Sequence, residues 1–258
     1  TPDVDRGGVL VEVNVEGSVG EAWVQVRVKQ DGRSVAFMSG LSPGPFFMSV
    51  PNAILWSPTN PHLYDLEVKL FRDDVVIDEV GSYFGMRKIS TVSIDGVPRV
   101  FLNGEPLFQV GVLDQGYWPD GIYTAPSDEA LRFDIEMARS LGYNLIRKHM
   151  KVEPERWYYW ADRLGMLVWQ DMPMGNNWSD WGREHYRDEL GRMVGQLRNH
   201  PSVIMWVLFN ERWGEFDVVN IAAAVKSLDP TRLVIGATGY ADEGVGDAIS
   251  FHSYNRVE

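Results

Sequence analysis

Val203-Ile204-Met205-Trp206-Val207-Leu208-Phe209-Asn210-Glu211 is the stretch on which the fold turns. Seven apolar residues without a polar break do not suit a strand with one wet face. They suit a strand buried on both faces, as in a parallel sheet covered by helices. The run is much too short to cross a membrane, which takes about 20 residues as a helix. Its last two residues bring an amide and a carboxylate to the end of that strand.

The same grammar extends to both sides. Upstream, Leu190, Met193, Val194 and Leu197 mark a helix, Met166–Gln170 a strand, and Trp157, Trp160, Ala161 and Leu164 a second helix opened by Glu153-Pro154 and stopped by Gly165. Before these come a strand at Asn144–Met150 and a helix capped by Ser127. That helix is expected to bury Ala130, Phe133, Met137, Ala138 and Leu141 and to end at Gly142. An apolar strand at Leu107–Leu113 precedes it. Downstream, Asp217 can cap a helix with Val218, Ile221, Ala222 and Val225 inward, and Arg232–Ala237 and Ala248–His252 read as further strands. Strand and helix alternate without interruption, so a doubly wound sheet and a (β/α)8 barrel both fit. No glycine-rich phosphate loop follows the first strand, which lowers the nucleotide-binding option.

Residues before about 90 keep a different period. Val9, Val11, Val13 and Val15 alternate with polar neighbours, as do Val24, Val26 and Val28, and Tyr64, Leu66, Val68 and Leu70. Period two with one wet face predicts antiparallel strands. Asp31-Gly32 and Asp73-Asp74 stand where hairpin turns are needed. With runs at Val35–Met38, Phe46–Val50, Val75–Val80 and Tyr83–Ile89, about seven strands are expected, and these suit an immunoglobulin-like β-sandwich. The expected organisation is a sandwich over residues 1–90 and an incomplete (β/α)8 TIM barrel of about six strands over 91–258.

Composition narrows the function. Net charge is −12 in 258 residues, which disfavours nucleic acid and anionic membrane as partners. The chain has no cysteine, so disulfides, thiolate metal sites and thiol catalysis are excluded. Ten tryptophans suit a core, and their flat rings also suit stacking on pyranose faces. The expected partner is a carbohydrate substrate, with a homo-oligomer left open. No cofactor and no metal are expected, since His149 and His252 lack a metal-binding spacing.

In a (β/α)8 barrel the chemistry gathers at the carboxyl ends of the strands. Those ends carry Asp114, then Arg147 and His149, then Asp171, then Asn210 and Glu211, then Thr238, with His252 and Tyr254 at the last. A packed barrel has no need of polar groups at one strand end after another, and their succession favours a site. Glu211 is the candidate proton donor, its acidity weakened by partial burial. Asn210 can donate to a sugar hydroxyl. Arg147 and His149 can hold a hydroxyl or a carboxylate; an ion pair of Arg147 with Asp171 is the structural alternative.

At these residues the chain resembles the family 2 glycoside hydrolases, which include β-galactosidases, β-glucuronidases and β-mannosidases. Asn199-His200-Pro201-Ser202 leading into Asn210-Glu211 is similar to the family's acid/base segment, and Gly142–Arg147 with His149 to the strand lining its sugar pocket. Trp56-Ser57-Pro58, Pro61–Tyr64 and Gly85-Met86-Arg87 resemble the end of its immunoglobulin-like domain, and Phe101–Gly104 the entry to its barrel. Asp247–Tyr254 resembles the segment whose tyrosine lies against the nucleophile. The resemblance implies a retaining, β-galactosidase-like hydrolysis of β-glycosides, with Glu211 as general acid and then base. Phe209–Gly214 differs from the best-known β-galactosidases, which leaves the sugar open, and the leading reading is an exo-acting enzyme of neutral sugars. The resemblance also implies that the family's jelly-roll domain is missing here, and that its glutamate nucleophile lies beyond residue 258. The segment 258 residues long is then expected to be inactive alone. Two other readings compete: an endo-glucanase- or mannanase-like barrel, and a non-catalytic carbohydrate-binding or scaffold protein that kept the fold.

Overall fold

In the computed structural model, which describes residues 1–17, 22–41, 44–175, 177–239 and 243–254, the chain divides into two units, Thr1–Lys88 and Ile89–Glu258. The valine ladders of the first become two antiparallel sheets. One joins β1 (Pro2–Asp3), β2 (Gly8–Val13) and β5 (Gly44–Ser49). The other runs β4 (Arg33–Leu41), β3 (Trp23–Gln30), β6 (Tyr64–Arg72), β7 (Val75–Phe84). Val9, Val11, Phe46 and Met48 of the first sheet share one buried cluster with Val24, Val26, Val28, Tyr64 and Phe84 of the second. This is a sandwich, and the alternation is its cause: β2 and β3 turn their valines inward, while those of β4 and β7 stay exposed. Asp31-Gly32 and Asp73-Asp74 all take positive φ, as a two-residue hairpin turn requires.

One expectation here needs correction. Val75–Val80 and Tyr83–Ile89 are not two strands. A single strand, β7, pairs along β6 from Arg72↔Val75 to Tyr64↔Phe84. Gly81 interrupts the apolar run without interrupting the ladder. The chain leaves the sheet at Gly85, and the Met86 carbonyl accepts from Trp56 N at 2.7 Å.

The second unit opens with a small antiparallel sheet that the patterns above did not reveal: β8 (Ile89–Ile94), β9 (Val97–Leu102) and β10 (Glu105–Pro106). Its turns, Asp95-Gly96 and Asn103-Gly104, also take positive φ and were the available signal. Then follow β11 (Gly111–Asp114), α1 (Asp128–Ser140), β12 (Leu145–Lys148), α2 (Glu155–Leu164), β13 (Leu167–Asp171), α3 (Asp180–Leu197), β14 (Val203–Asn210), α4 (Val218–Leu228), β15 (Leu233–Gly239) and β16 (Ser250–Phe251). The strands form one parallel sheet in chain order, β11-β12-β13-β14-β15-β16, an open part of a barrel among the described residues. Leu131, Ile135, Trp157, Tyr186, Leu190, Val194 and Ile221 of the helices pack on Ile146, Val168, Trp206 and Val234 of the sheet.

Three local differences have clear causes. Leu107–Val110 stays outside the sheet, because the Asn144 side chain takes the Val110 N–H at 2.9 Å and the Phe108 carbonyl at 2.8 Å in place of a ladder. Helix α1 is capped by Ser127, yet it buries Leu131, Ile135 and Ala138, while Phe133, Met137 and Leu141 are exposed. Arg156 and Trp160 of α2 both bond Asp128 at 2.7 and 2.8 Å, which fixes this rotation of α1. Asp217 precedes α4 but makes no backbone cap; its carboxylate takes Arg187 and Asn220 instead.

The Asn199–Ser202 turn anchors the base of β14. Asp162 of α2, fully buried, accepts from Ser202 N at 2.9 Å and meets His200 Nδ1 at 2.6 Å. Arg232 donates to the carbonyls of His200 and Val203 at 2.7 and 2.9 Å. The motif is thus architecture: it sets the height at which β14 delivers Asn210 and Glu211.

Candidate active site

Strand alternation on β12 sends Ile146 and Lys148 toward the helices and Leu145 and Arg147 to the other face. Arg147 is the hub there. Its Nε and Nη2 donate to Asp171 Oδ1 and Oδ2 at 3.0 and 2.8 Å, the forked geometry that suits guanidinium and carboxylate. Nη2 also reaches Asn210 Oδ1 at 3.0 Å and Thr238 Oγ1 at 2.9 Å, and Nη1 lies 3.3 Å from His252 Nε2. Thr238 Oγ1 donates to Asn210 Oδ1 at 2.8 Å. Ends of β12, β13, β14 and β15 are thereby tied together. With its oxygen receiving two donors, the Asn210 amide is oriented, and its side chain also bonds His149.

At the end of β14 the alternation skips one residue. Leu208 and Phe209 both join the helix-side cluster, Phe209 stacking on Tyr186 at 5.0 Å, so Asn210 turns back to Arg147. Glu211 and Arg212 then take φ +52 and +62. Left-handed backbone at two successive non-glycine residues is a strained way to end a strand, and it aims the Glu211 side chain at the sheet's carboxyl edge. Glu211 N donates to Thr238 O at 2.8 Å. The Glu211 carboxylate meets His252 Nδ1 at 2.6 Å and accepts from the Tyr254 hydroxyl. Gly239, at φ +103, makes room: a Cβ there would stand 2.9 Å from Glu211 Cγ and 3.2 Å from His252 Nδ1.

The electrostatics depart from expectation in one respect. Glu211 is not made a weaker acid. Hydrogen bonds from Tyr254 and then from His252 hold its carboxyl below the usual range, and they outweigh its limited burial. Burial pushes Asp171 up against the pull of Arg147, and burial pushes His149 down. His149 bonds Gln115 Nε2 through Nδ1 at 3.0 Å and keeps Nε2 4.0 Å from Asp171.

The structure brings Arg147, Asp171, Asn210, Glu211, His252 and Tyr254 into one chain of contacts, with His149 beside it. Asp114 does not join through its side chain. Its carboxylate takes Lys148 Nζ at 2.5 Å and Gly116 N at 2.7 Å, in a separate ion cluster where Lys148 also meets Glu153 at 3.0 Å. Lys148 lies on the helix face of β12, which explains why Asp114 turns away. Thr238 was among the polar strand ends but had no role assigned, and Gly239 was missed; a polar residue followed by glycine at a buried strand's end was the signal. Among the described residues no group of three or more His, Asp or Glu is placed to hold a metal.

Comparison with known proteins bears on this arrangement. The family model for the TIM barrel domain of glycosyl hydrolases family 2 matches residues 100–258, and the model "Glycosyl hydrolases family 2" matches residues 3–87. The chain belongs to glycosyl hydrolase family 2. A putative beta-glucuronidase of Formosa agariphila is 30% identical over 73% of this chain and 18% of its own length. A beta-galactosidase of Thermoanaerobacter pseudethanolicus is 27% identical over 83% of this chain and 28% of its own. The beta-glucuronidase of Rattus norvegicus is 29% identical over 98% of this chain and 41% of its own. Among solved structures, an FMN-binding beta-glucuronidase from Facaelibacterium prausnitzii superposes with a TM-score of 0.80 at 25% identity, covering 98% of this chain and 42% of that one. The family 2 chain therefore spans less than half the length of these relatives, from 18% to 42%, and it carries the family's sandwich and part of its barrel.

Proposed function

We propose that this family 2 chain carries the acid/base half of a retaining β-glycosidase site, with residues 1–90 as its immunoglobulin-like domain and 91–258 as the first part of its catalytic barrel. The observation behind this is Glu211: a carboxylate at the sheet's carboxyl edge, bonded by His252 and Tyr254, beside an Asn210 amide that Arg147 and Thr238 hold in place. In this reading Glu211 protonates the glycosidic oxygen, then takes a proton from water. Asn210 donates to a hydroxyl of the bound sugar, and Arg147, locked by Asp171, keeps Asn210 in place. His149 lines the same side.

A general acid must first hold a proton, and Glu211 as it stands favours the ionised form. The second carboxylate of a retaining site resolves this. About 5–5.5 Å away, a negative charge disfavours ionisation of its neighbour. In this reading Tyr254 turns to that second carboxylate, as the resemblance implies, and so engaged it no longer donates to Glu211. Both changes raise the pKa of Glu211.

The relatives divide between beta-galactosidases and beta-glucuronidases, so the test uses aryl β-galactosides and β-glucuronides with good and poor leaving groups, hydrolysed by the complete enzyme. Glu211→Gln should slow poor leaving groups by about 10²-fold or more and good ones less. Equal, mild losses on both would remove Glu211 from the role of acid.

A further inference from the structure

The end of β14 breaks two regularities of its sheet. Its ladder to β15 runs Met205↔Leu233, Trp206↔Val234 and Val207↔Ile235, passes over Leu208, and resumes at Phe209↔Ala237 and Asn210↔Thr238. The side chains skip at the same point, since Leu208 and Phe209 both lie in the helix-side cluster. Strand β15 turns with its partner: Ala237 joins that cluster, and a Cβ on Gly236 would meet Val218 of α4 at 3.0 Å. The offset between the two strands is the same before and after Leu208, so neither carries an extra residue.

Two side chains from outside these strands take up backbone groups at the turn. Tyr186 of α3, 3% exposed, donates its hydroxyl to the Leu208 carbonyl at 2.5 Å. Met174, in the loop after β13, accepts the Asn210 N–H on its sulfur at 3.4 Å. A buried backbone group without a partner is costly, so these bonds favour the turned strand over a regular one. The Tyr186 ring adds to its hydroxyl: it stacks on Phe209 at 5.0 Å and meets Phe216 edge-on at 5.5 Å, keeping both beside α3. Burial raises the Tyr186 pKa, so the phenol stays a donor wherever a glutamate titrates.

We propose that Tyr186 is a positioning residue for the acid: its hydroxyl draws the Leu208 carbonyl out of the ladder and so aims Asn210 at Arg147 and Glu211 at His252 and Tyr254. Regular alternation would give Asn210 the same face as Leu208, two residues before it, on the helix side and away from Arg147. The turn adds the single step that reverses this. Met174 is the second support, on the residue next to Glu211. Neither side chain touches the reacting atoms, and the inference rests on Glu211 as the acid.

The test is Tyr186→Phe, which keeps the ring and its stacking and removes only the hydroxyl. In this chain the carboxyl midpoint of Glu211, followed by NMR, should rise toward that of an ordinary glutamate, because the carboxylate moves off Tyr254 and His252. In the complete enzyme, kcat/KM for aryl glycosides with poor leaving groups should fall about tenfold more than for good ones, with KM little changed. Met174→Leu should show the same pattern to a smaller degree. Tyr158→Phe also loses a buried hydroxyl, one bonded to Gln170 rather than to β14, and should lower stability while moving neither readout. A Glu211 midpoint unmoved by Tyr186→Phe, or equal losses on good and poor leaving groups, would overturn the positioning role and leave Glu211 as the acid. A complete enzyme that hydrolyses no glycoside, in which the midpoint still rises, would remove the glycosidase reading and keep the positioning role.

Discussion

Arg147 and Asp171 meet through two parallel hydrogen bonds, Nε to Oδ1 at 3.0 Å and Nη2 to Oδ2 at 2.8 Å, and Asp171 is 1% exposed. Removing the guanidinium strands a buried carboxylate. Arg147→Met should therefore cost about 3–5 kcal/mol at neutral pH. Burial already raises the Asp171 pKa, and loss of Arg147 raises it further. A raised folded-state pKa gives stability that is present at low pH and lost as pH rises through it. The deficit of the variant should shrink in mildly acid solution, where Asp171 takes a proton. Urea denaturation at the two pH values reads this, and a deficit that does not change with pH contradicts it. Arg147→Lys should not rescue, since an ammonium cannot span both oxygens and still reach Asn210 and Thr238.

Gly239 sets the space for Glu211 and His252. Gly239→Ala forces a Cβ to within 2.9 Å of Glu211 Cγ at φ +103. The backbone strain alone is worth about 1–3 kcal/mol. Thermal unfolding should show that loss. In the complete enzyme turnover should fall beyond what the lost stability explains, because the acid itself is displaced.

The Glu211 carboxylate should titrate below an ordinary glutamate, and Tyr254 is the first reason. Tyr254→Phe removes that donor, so the midpoint should move up toward the usual value; replacing His252 by Ala should move it up as well, by less. A carboxyl resonance of Glu211 followed by NMR titration of this chain measures both. A lowered folded-state pKa stabilises above the unfolded value and is lost as pH falls through it, so Tyr254→Phe should also flatten the acid limb of stability. A midpoint unmoved by Tyr254→Phe would detach the tyrosine from Glu211.

Local patterns carry much of this fold and little of the wiring at its site. Alternating valines and the buried run before Asn210 state which strands have one wet face and which have none, because burial on one side or two is a local constraint. The apolar residues of α1 offered two stripes, and the choice between them was made by Arg156 and Trp160 on the next helix, a contact that the order of residues in α1 does not contain. Likewise Asp114 and Asp171 look alike as acidic strand ends. Which of them meets Arg147 depends on the face of β12, where Arg147 and Lys148 point opposite ways. The lowered pKa of Glu211 follows from Tyr254, 43 residues away, and no pattern around Glu211 announces it.

The last prediction is that these 258 residues alone do not turn over a glycoside. Retention needs two carboxylates about 5–5.5 Å apart. Among the described residues the other acids near the carboxyl edge are engaged or misplaced. Asp171 is locked to Arg147, and Asp114 to Lys148. Glu215 and Glu243 lie in loops after β14 and β15 rather than facing Glu211 across a barrel, and burial raises the Glu215 pKa. Glu258 lies outside the described residues. The edges of the parallel sheet tell the same story. Leu113 on β11 is 54% exposed and Phe251 on β16 is 81% exposed, at strands with an unpaired side in this sheet. Apolar side chains along open edges call for further strands to cover them. The isolated segment should therefore bind a hydrophobic dye such as ANS and release no nitrophenol from aryl β-galactosides or β-glucuronides. Turnover abolished by Glu211→Ala would show instead that a second carboxylate lies within these residues.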